Sequence, residues 1–497
     1  MPVLGSLPWL LRDPLRFFTT MAQDYGPISH ARLVNVSLYT VADPELLEEL
    51  FNGKHKQCIK DAATRGLRPL VGQGLLTSEG DLWKRQRKLA AQPFTPKRMR
   101  AYEQTMVECA SAAFARFRDG ERRDFHADAM AITLEIVAKT LLGIEDPAEL
   151  HRVSHIVDVA MAYFQERLYS WGALLPPEFP TPRWLRFQRA KRELDAIVGR
   201  VIDRARREDS TADHLLARLL RARDDDGQPM SEQQLLDEAV TMLLAGHETT
   251  ALSLMYGAYL LATHPVESRA LAHEIDAVLG GRPARADDLE RLPYLDAVVR
   301  ETLRLYPPAY ALGREVVEPF ELGGYTLPVG AQIAVVPFAM HRNRRFWKEP
   351  ERFRPERWLD GETRNLPRYA YMPFGGGHRV CIGNHFASVE LSLVLATLVQ
   401  QVRLEVRPKL RLRLRPVITL RVPSGLRVKV RRRKLPANAA NDAPGWFSAE
   451  NQPPQASPAV CLESARTHET VQPAASLAAC PHGVSGHVDG RGEREPA

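Results

Sequence analysis

The chain has 497 residues, of which 44% are hydrophobic and 26% charged, with a formal charge of +7. That is the composition of an ordinary globular protein with ample length for a large core, which excludes fibrous and wholly disordered classes. The Lys and Arg are spread along the chain, which argues against nucleic acid as a partner, and five cysteines without paired spacing argue against a disulfide framework.

The N-terminus, MPVLGSLPWLLRDPLRFF, has no basic start, and prolines and an Asp interrupt its short apolar run, so it is not a secretory signal. No stretch reaches the roughly 18–20 uninterrupted apolar residues of a spanning helix. A protein with no transmembrane segment, in the cytoplasm, is expected. Ile28 to Tyr39 reads as β. Helical periodicity dominates from about 81 to 305. Within that region, Ser231 followed by Gln234 forms a capping-box pattern, and His264-Pro265 stops the helix it starts. About 33 residues at ~1.5 Å each span roughly 50 Å, so this helix must run through the core. Its middle carries Ala245-Gly246-His247-Glu248-Thr249-Thr250. Burying a carboxylate there costs several kcal/mol unless a neighbour offsets it, so the polar group should face a cavity where it has a task.

A second helix follows in LPYLDAVVRETLRLYPP, with Pro293 in its first turn and Pro307-Pro308 at its end. Glu301 and Arg304 share a face and can pair. Ala331 to Val336, VRLEVRP and VITLRVPSGLRVKV read as β, and the basic run Lys429 to Lys434 reads as a solvated strand end. Residues 1–435 therefore read as one globular body, mainly α with small β-sheets (α+β). Residues 436–497 are rich in Ala, Pro, Gly and small polar residues without periodicity, and read as a disordered tail.

Before the last helical run stands PFGGGHRVCIGNHFASVELSLVLATLV. Glycines let a backbone approach a flat ligand closely, and a cysteine just before a helix sits in a positive field that favours a metal-binding thiolate. A buried structural Cys in a glycine turn is the bland alternative. A Cys phosphatase fails, because no Arg follows Cys381 in the loop.

The segment Phe374 to Gly383 resembles the haem-binding loop F-x-x-G-x-R-x-C-x-G of the cytochromes P-450, the haem-thiolate monooxygenases. Four further family patterns occur in order: Trp83 to Arg87 for W-x-x-x-R, Ala245 to Thr250 for the mid-helix [AG]-G-x-[DE]-T-T, Glu301 to Arg304 for E-x-x-R, and Pro350 to Trp358 for P-x-x-F-x-P-E-R-[FW]. The likeness covers roughly residues 10 to 435. It implies the cytochrome P-450 fold, with a long central helix over haem b (iron protoporphyrin IX). Cys381 would be the axial thiolate and the metal ligand. Phe374 would pack beside its sulfur, Gly375 would help to aim backbone N–H groups at it, and Gly383 would let the next helix pass close to the porphyrin. Arg87, Arg314 and Arg379, with Trp83, would hold the haem propionates, and Ala245 would open a groove for dioxygen. Glu248 and Thr249 resemble the family's acid–alcohol pair, which delivers protons during oxygen activation. Glu301, Arg304 and Arg357 resemble its structural triad.

The resemblance implies insertion of one oxygen atom from O2 into a small lipophilic substrate: a fatty acid, a terpenoid or a steroid-like compound. The chain has no electron donor of its own, so a ferredoxin or flavodoxin with its reductase is the expected partner of a monomer, and His378, Arg98 and Arg100 are candidates for the docking face. Candidate pocket residues are Leu244, Ala245, Ala309, Tyr310, Leu312, Ile418 and the 61–80 loop. Peroxide-driven or rearranging chemistry is the alternative enzyme, and a haem-thiolate sensor the non-catalytic one. The acid–alcohol pair argues against both.

Overall fold

The computed structural model describes residues 4–94, 96–169, 179, 181–207 and 214–433. The tail expected at 436–497 lies outside the described residues.

The central helix runs Glu232–Thr263 over 32 residues. Its start is fixed as the sequence predicts: the Ser231 hydroxyl accepts from Gln234 N–H at 3.2 Å, and the Gln234 side chain accepts from Ser231 N–H at 3.0 Å. Its end falls at His264, where Pro265 opens the next helix. Most of its residues are buried. It packs on the helix Phe125–Val137 and on the helix Asn384–Gln401 that follows Cys381. The latter is apolar on nearly every face, as expected of a helix enclosed by others.

Part of the polar cluster is absorbed by this packing. His247 is buried; its Nε2 lies 3.1 Å from the Met130 carbonyl, and Thr133 donates to the His247 carbonyl at 3.1 Å. Burial pushes the imidazole down to about 4, so it is neutral near pH 7. His247 therefore clamps two helices together.

Five strands form a sheet at one end: β1 (Ile28–Leu33), β2 (Val36–Val41), β3 (Cys58–Lys60), β4 (Leu312–Val316) and β5 (Gln332–Val335), in the order β1-β2-β5-β4-β3. Only β2 and β5 run parallel. The early β stretch is thus a hairpin. In the register of β3 and β4, Lys60 stands directly opposite Arg314. A second sheet joins Arg122–Asp124, Arg427–Arg432 and Val402–Glu405. The basic run at its end is paired as a solvated strand end should be: Arg431 with Glu405 at 3.0 Å and Arg433 with Asp276 at 2.5 Å.

The helix Pro293–Leu305 carries Glu301 and Arg304 of the predicted triad, and the turn Pro355–Trp358 carries Arg357; all three are fully buried. Arg304 grips Glu301 through two bonds of 2.8 and 2.9 Å, and Arg357 Nε adds a third at 3.0 Å. Trp358 Nε1 and the Arg354 N–H, both at 3.0 Å, complete the shell around the carboxylate. Among the described residues no helix is long and apolar enough to cross a membrane.

Candidate active site

Between the central helix and the Cys381 loop lies a cavity of about 340 Å³. Ten of the predicted site residues line it: Ala245 and Thr249 from the helix, Trp83, Arg87 and Arg314 from its rim, and Phe374, Gly375, Arg379, Cys381 and Gly383 from the loop. Glu248 is absent from this lining.

The loop is shaped by its glycines and by one closing bond. Gly375 and Gly377 take φ of +75° and +61°, left-handed values that favour glycine. A side chain at Gly377 would also strike Phe51. Cys381 N–H donates to the Phe374 carbonyl at 2.9 Å, which turns the loop back on itself. Cys381 is a free thiol with accessible surface that opens on the cavity, yet the protein around it desolvates the sulfur. Burial pushes its pKa up, against the opposing pull of the Gly383 N–H and the Arg87 charge. The pull of the Gly383 N–H is what a cysteine just before a helix should feel, and burial outweighs it.

The rim is cationic. Lys60, Arg87, Arg314 and Arg379 all line the cavity. Arg379 bonds the Ser78 carbonyl at 3.0 Å, pairs with Glu79 and lies 4.0 Å above the Trp83 ring. Arg87 has no hydrogen-bonding partner among the described residues. Desolvation and the neighbouring charges of Arg314 and Arg379 push Lys60 down to about 7. Like charges directly opposite on paired strands are destabilising; Glu79 and Asp61 offset part of the charge of Lys60 and Arg314, and a bound anion would offset more. A thiol on one wall and a rim of four cations, which outnumber the carboxylates Glu79 and Asp61 beside them, are a donor set that suits an iron porphyrin with two carboxylates. Haem fits these residues. Lys60 was not foreseen, because its pairing with Arg314 depends on strand register.

The model for the family described as Cytochrome P450 matches residues 1–429. The chain is a cytochrome P450. Its relatives include the pentalenene oxygenase of Streptomyces avermitilis, 32% identical over 86% of this chain and 95% of that protein. Two proteins of Streptomyces melanosporofaciens are also similar: cyclooctatin synthase, 31% identical over 84% of this chain and 92% of its own, and cyclooctat-9-en-7-ol 5-monooxygenase, 34% identical over 82% and 88%. Among solved structures, retinoic-acid-bound cyanobacterial CYP120A1 superposes with a TM-score of 0.76 at 27% identity, covering 87% of this chain and 97% of that one. The protein is thus a haem-dependent P450 monooxygenase that uses O2, a lipophilic substrate and a redox partner.

In this P450 the predicted acid–alcohol pair is split. Thr249 lines the cavity, with its hydroxyl donating to the Ala245 carbonyl at 2.7 Å. Glu248 is buried and turned elsewhere: Thr419 donates to its Oε1 at 2.6 Å and Arg421 Nε at 2.5 Å. Burial opposes ionisation of Glu248, but the bond and charge of Arg421, with Thr419 assisting, outweigh it and hold the carboxyl below its ordinary value. Of the pair, only Thr249 lines the cavity. Thr419 and Arg421 come from the C-terminal hairpin, which Tyr256 also holds by donating to the Leu420 carbonyl at 2.6 Å.

Of the candidate pocket residues, Ala245, Ala309 and Leu312 line the cavity, joined by Leu75 and Leu76 of the 61–80 loop. Leu244, Tyr310 and Ile418 do not. Tyr310 donates its hydroxyl to the Val417 carbonyl at 2.9 Å. Glu238 and Thr241 line the cavity and were missed. Counting back from Thr249 by helical steps through Ala245 would have found them. His378 is exposed and stacks on His55 with ring centroids 4.0 Å apart. The side chains of Arg98 and Arg100 lie outside the described residues.

Proposed function

We propose that this P450 oxygenates a cyclic terpenoid, with electrons from a separate ferredoxin or flavodoxin and its reductase. The observation that carries this reading is the match, over more than four-fifths of the chain, to relatives whose names specify pentalenene and cyclooctatin chemistry. A cavity wall built from Leu75, Leu76, Met242, Ala309 and Leu312 supports it, since such a surface rewards an apolar skeleton. The working unit is a monomeric cytoplasmic haem domain, residues 1–435.

When bound, haem supplies the one-electron chemistry and dioxygen activation that no amino-acid side chain offers. Cys381 would ligate the iron. Arg87, Arg314 and Arg379, with Lys60, would hold the propionates, and Trp83 keeps Arg379 in place by stacking. Phe374 keeps water from the sulfur. On the other side, the small Ala245 leaves room beside the helix. The Thr249 oxygen still has lone pairs to accept a bond from a water in the cavity and to keep a proton donor there. Glu248 is ionised in its pair with Arg421, so it would relay a proton by taking one from solvent when that bond opens and then passing it on.

The test is Thr249→Ala in haem-loaded protein, driven by a surrogate ferredoxin, its reductase and NADPH, with cyclic terpenes as substrates. Haem content should hold while reducing equivalents escape as hydrogen peroxide. Tight coupling in the variant would overturn the proton assignment. Vigorous peroxide-dependent turnover without terpene-stimulated NADPH consumption would overturn the need for electrons.

A further inference from the structure

Lys and Arg occur along the whole chain, but the acids do not keep pace everywhere. Residues 402–433 hold twelve of these cations and one carboxylate, Glu405, so the segment carries +11 where the whole chain carries +7, and the other residues together carry −4. Part of this charge is paired. Arg403 and Arg431 bond Glu405 at 2.9 and 3.0 Å, Arg421 holds Glu248, and Arg433 holds Asp276. Arg407, Lys409, Arg411 and Arg413 are exposed and make no ion pair among the described residues. From Leu410 to Arg415 leucine and arginine alternate. Leu412 is buried, Leu410 and Leu414 pack against the core, and the arginines face solvent, at the roughly 6.6 Å spacing of alternate residues in an extended chain. Tyr259 of the central helix donates to the Leu410 carbonyl at 3.1 Å. The leucines cannot turn without leaving the core, so the cations are held in a row.

Self-repulsion of like charges destabilises a fold, so such a row adds nothing to stability and points to an anionic partner. We propose that residues 407–415 dock on an anionic membrane surface. A layer of lipid phosphates attracts clusters of about four to eight Lys and Arg. The negative balance of the other residues turns them away from that layer, so the approach is oriented. Residues 402–433 include no aromatic side chain on which bases could stack, which disfavours single-stranded nucleic acid. The segment starts at the far end of the helix Asn384–Gln401, roughly 27 Å along it from the cysteine loop, which sets this surface apart from the place where electrons must reach the iron. The substrate class decides between a membrane and an acidic protein: a lipophilic substrate partitions into bilayers, and an enzyme held there meets it at higher concentration. None of the large exposed apolar side chains belongs to this segment, so the contact is adsorption by charge, reversible and sensitive to salt.

The test floats haem-loaded full-length protein with vesicles of phosphatidylcholine alone and of an equimolar phosphatidylcholine–phosphatidylglycerol mixture. The wild type should bind the mixed vesicles at low salt, come off as salt rises, and ignore the neutral ones. Arg407→Gln, Lys409→Gln, Arg411→Gln and Arg413→Gln together remove four surface cations, each worth about five-fold in binding, so this variant should bind roughly 600-fold more weakly. Its carbon monoxide band should match that of the wild type, since none of the four touches the haem site. A second variant, Arg186→Gln, Arg189→Gln, Arg192→Gln and Arg207→Gln, takes the same charge from the exposed side of the helix Pro182–Arg207 and should keep most of the binding. Equal weakening in the two variants would reduce the effect to net charge and overturn the inference. Neutral vesicles bound as tightly as anionic ones, binding unchanged in the first variant, no binding to either vesicle, or retention by RNA without retention by vesicles would each overturn it too. All of these leave the terpenoid reading intact, because that reading is decided by substrate turnover in solution.

Discussion

Replacing Arg421 by Met should reverse the electrostatics of Glu248. In the wild type the carboxylate is 6% exposed and its cation 21% exposed, with Nε 2.5 Å from Oε1. Breaking a buried pair by removing one partner costs about 3–5 kcal/mol. Because Arg421 keeps part of its side chain in water, that figure is discounted to about 2–3 kcal/mol. The pH dependence follows from the sign. The Glu248 pKa is depressed in the folded wild type, so its pair contributes stability above the ordinary value of 4.5 and loses it as pH falls through the depressed value. In the variant, desolvation acts almost alone, since Thr419 and the neutral His247 bring little charge, and the pKa moves above 4.5. Glu248 then destabilises the fold as pH rises past that value. The stability gap between wild type and Arg421→Met should therefore be small near pH 4 and should widen to about 2–3 kcal/mol by pH 7. Urea denaturation followed by tryptophan fluorescence, at pH 4 to 8 in haem-loaded protein, measures the gap. A gap independent of pH would refute the reasoning, for it would mean that Arg421 contributes packing alone.

Cys381→Ala should abolish the thiolate-type carbon monoxide band of the reduced protein, as measured by difference spectroscopy. Glu301→Gln leaves Arg304 and Arg357 buried without their shared carboxylate and should cost about 3–5 kcal/mol, read as a lower denaturation midpoint and reduced haem retention. Lys60 has a folded pKa near 7 against 10.5 for the free side chain, so haem-free protein should gain stability as pH climbs between those values. Lys60→Met should flatten that rise, which thermal melts across pH 7 to 10.5 would show.

The features read most directly from sequence were local ones. The capping box at Ser231 and the stop at His264-Pro265 placed the central helix within a residue of its observed ends, because both signals lie within a few residues of the termini they set. The Cys381 loop and the Glu301 triad were legible as motifs. The orientation of Glu248 was not, because the group that turns it, Arg421, lies 173 residues away and reaches it through the placement of a hairpin. Lys60 escaped for the same reason, its meaning set by the strand it faces. Glu238 and Thr241 were readable by spacing alone, but only a structure shows that their oxygens lack partners.

The juxtaposition of Lys60 and Arg314 reaches beyond the propionates. Glu79 and Asp61 offset part of the charge that this strand pairing brings together, and a bound pigment's two carboxylates would offset the rest, so its binding should tighten that sheet edge. The edge strand Cys58–Lys60 should then exchange its amide hydrogens quickly in freshly synthesised, colourless chain and slowly once the chain turns red.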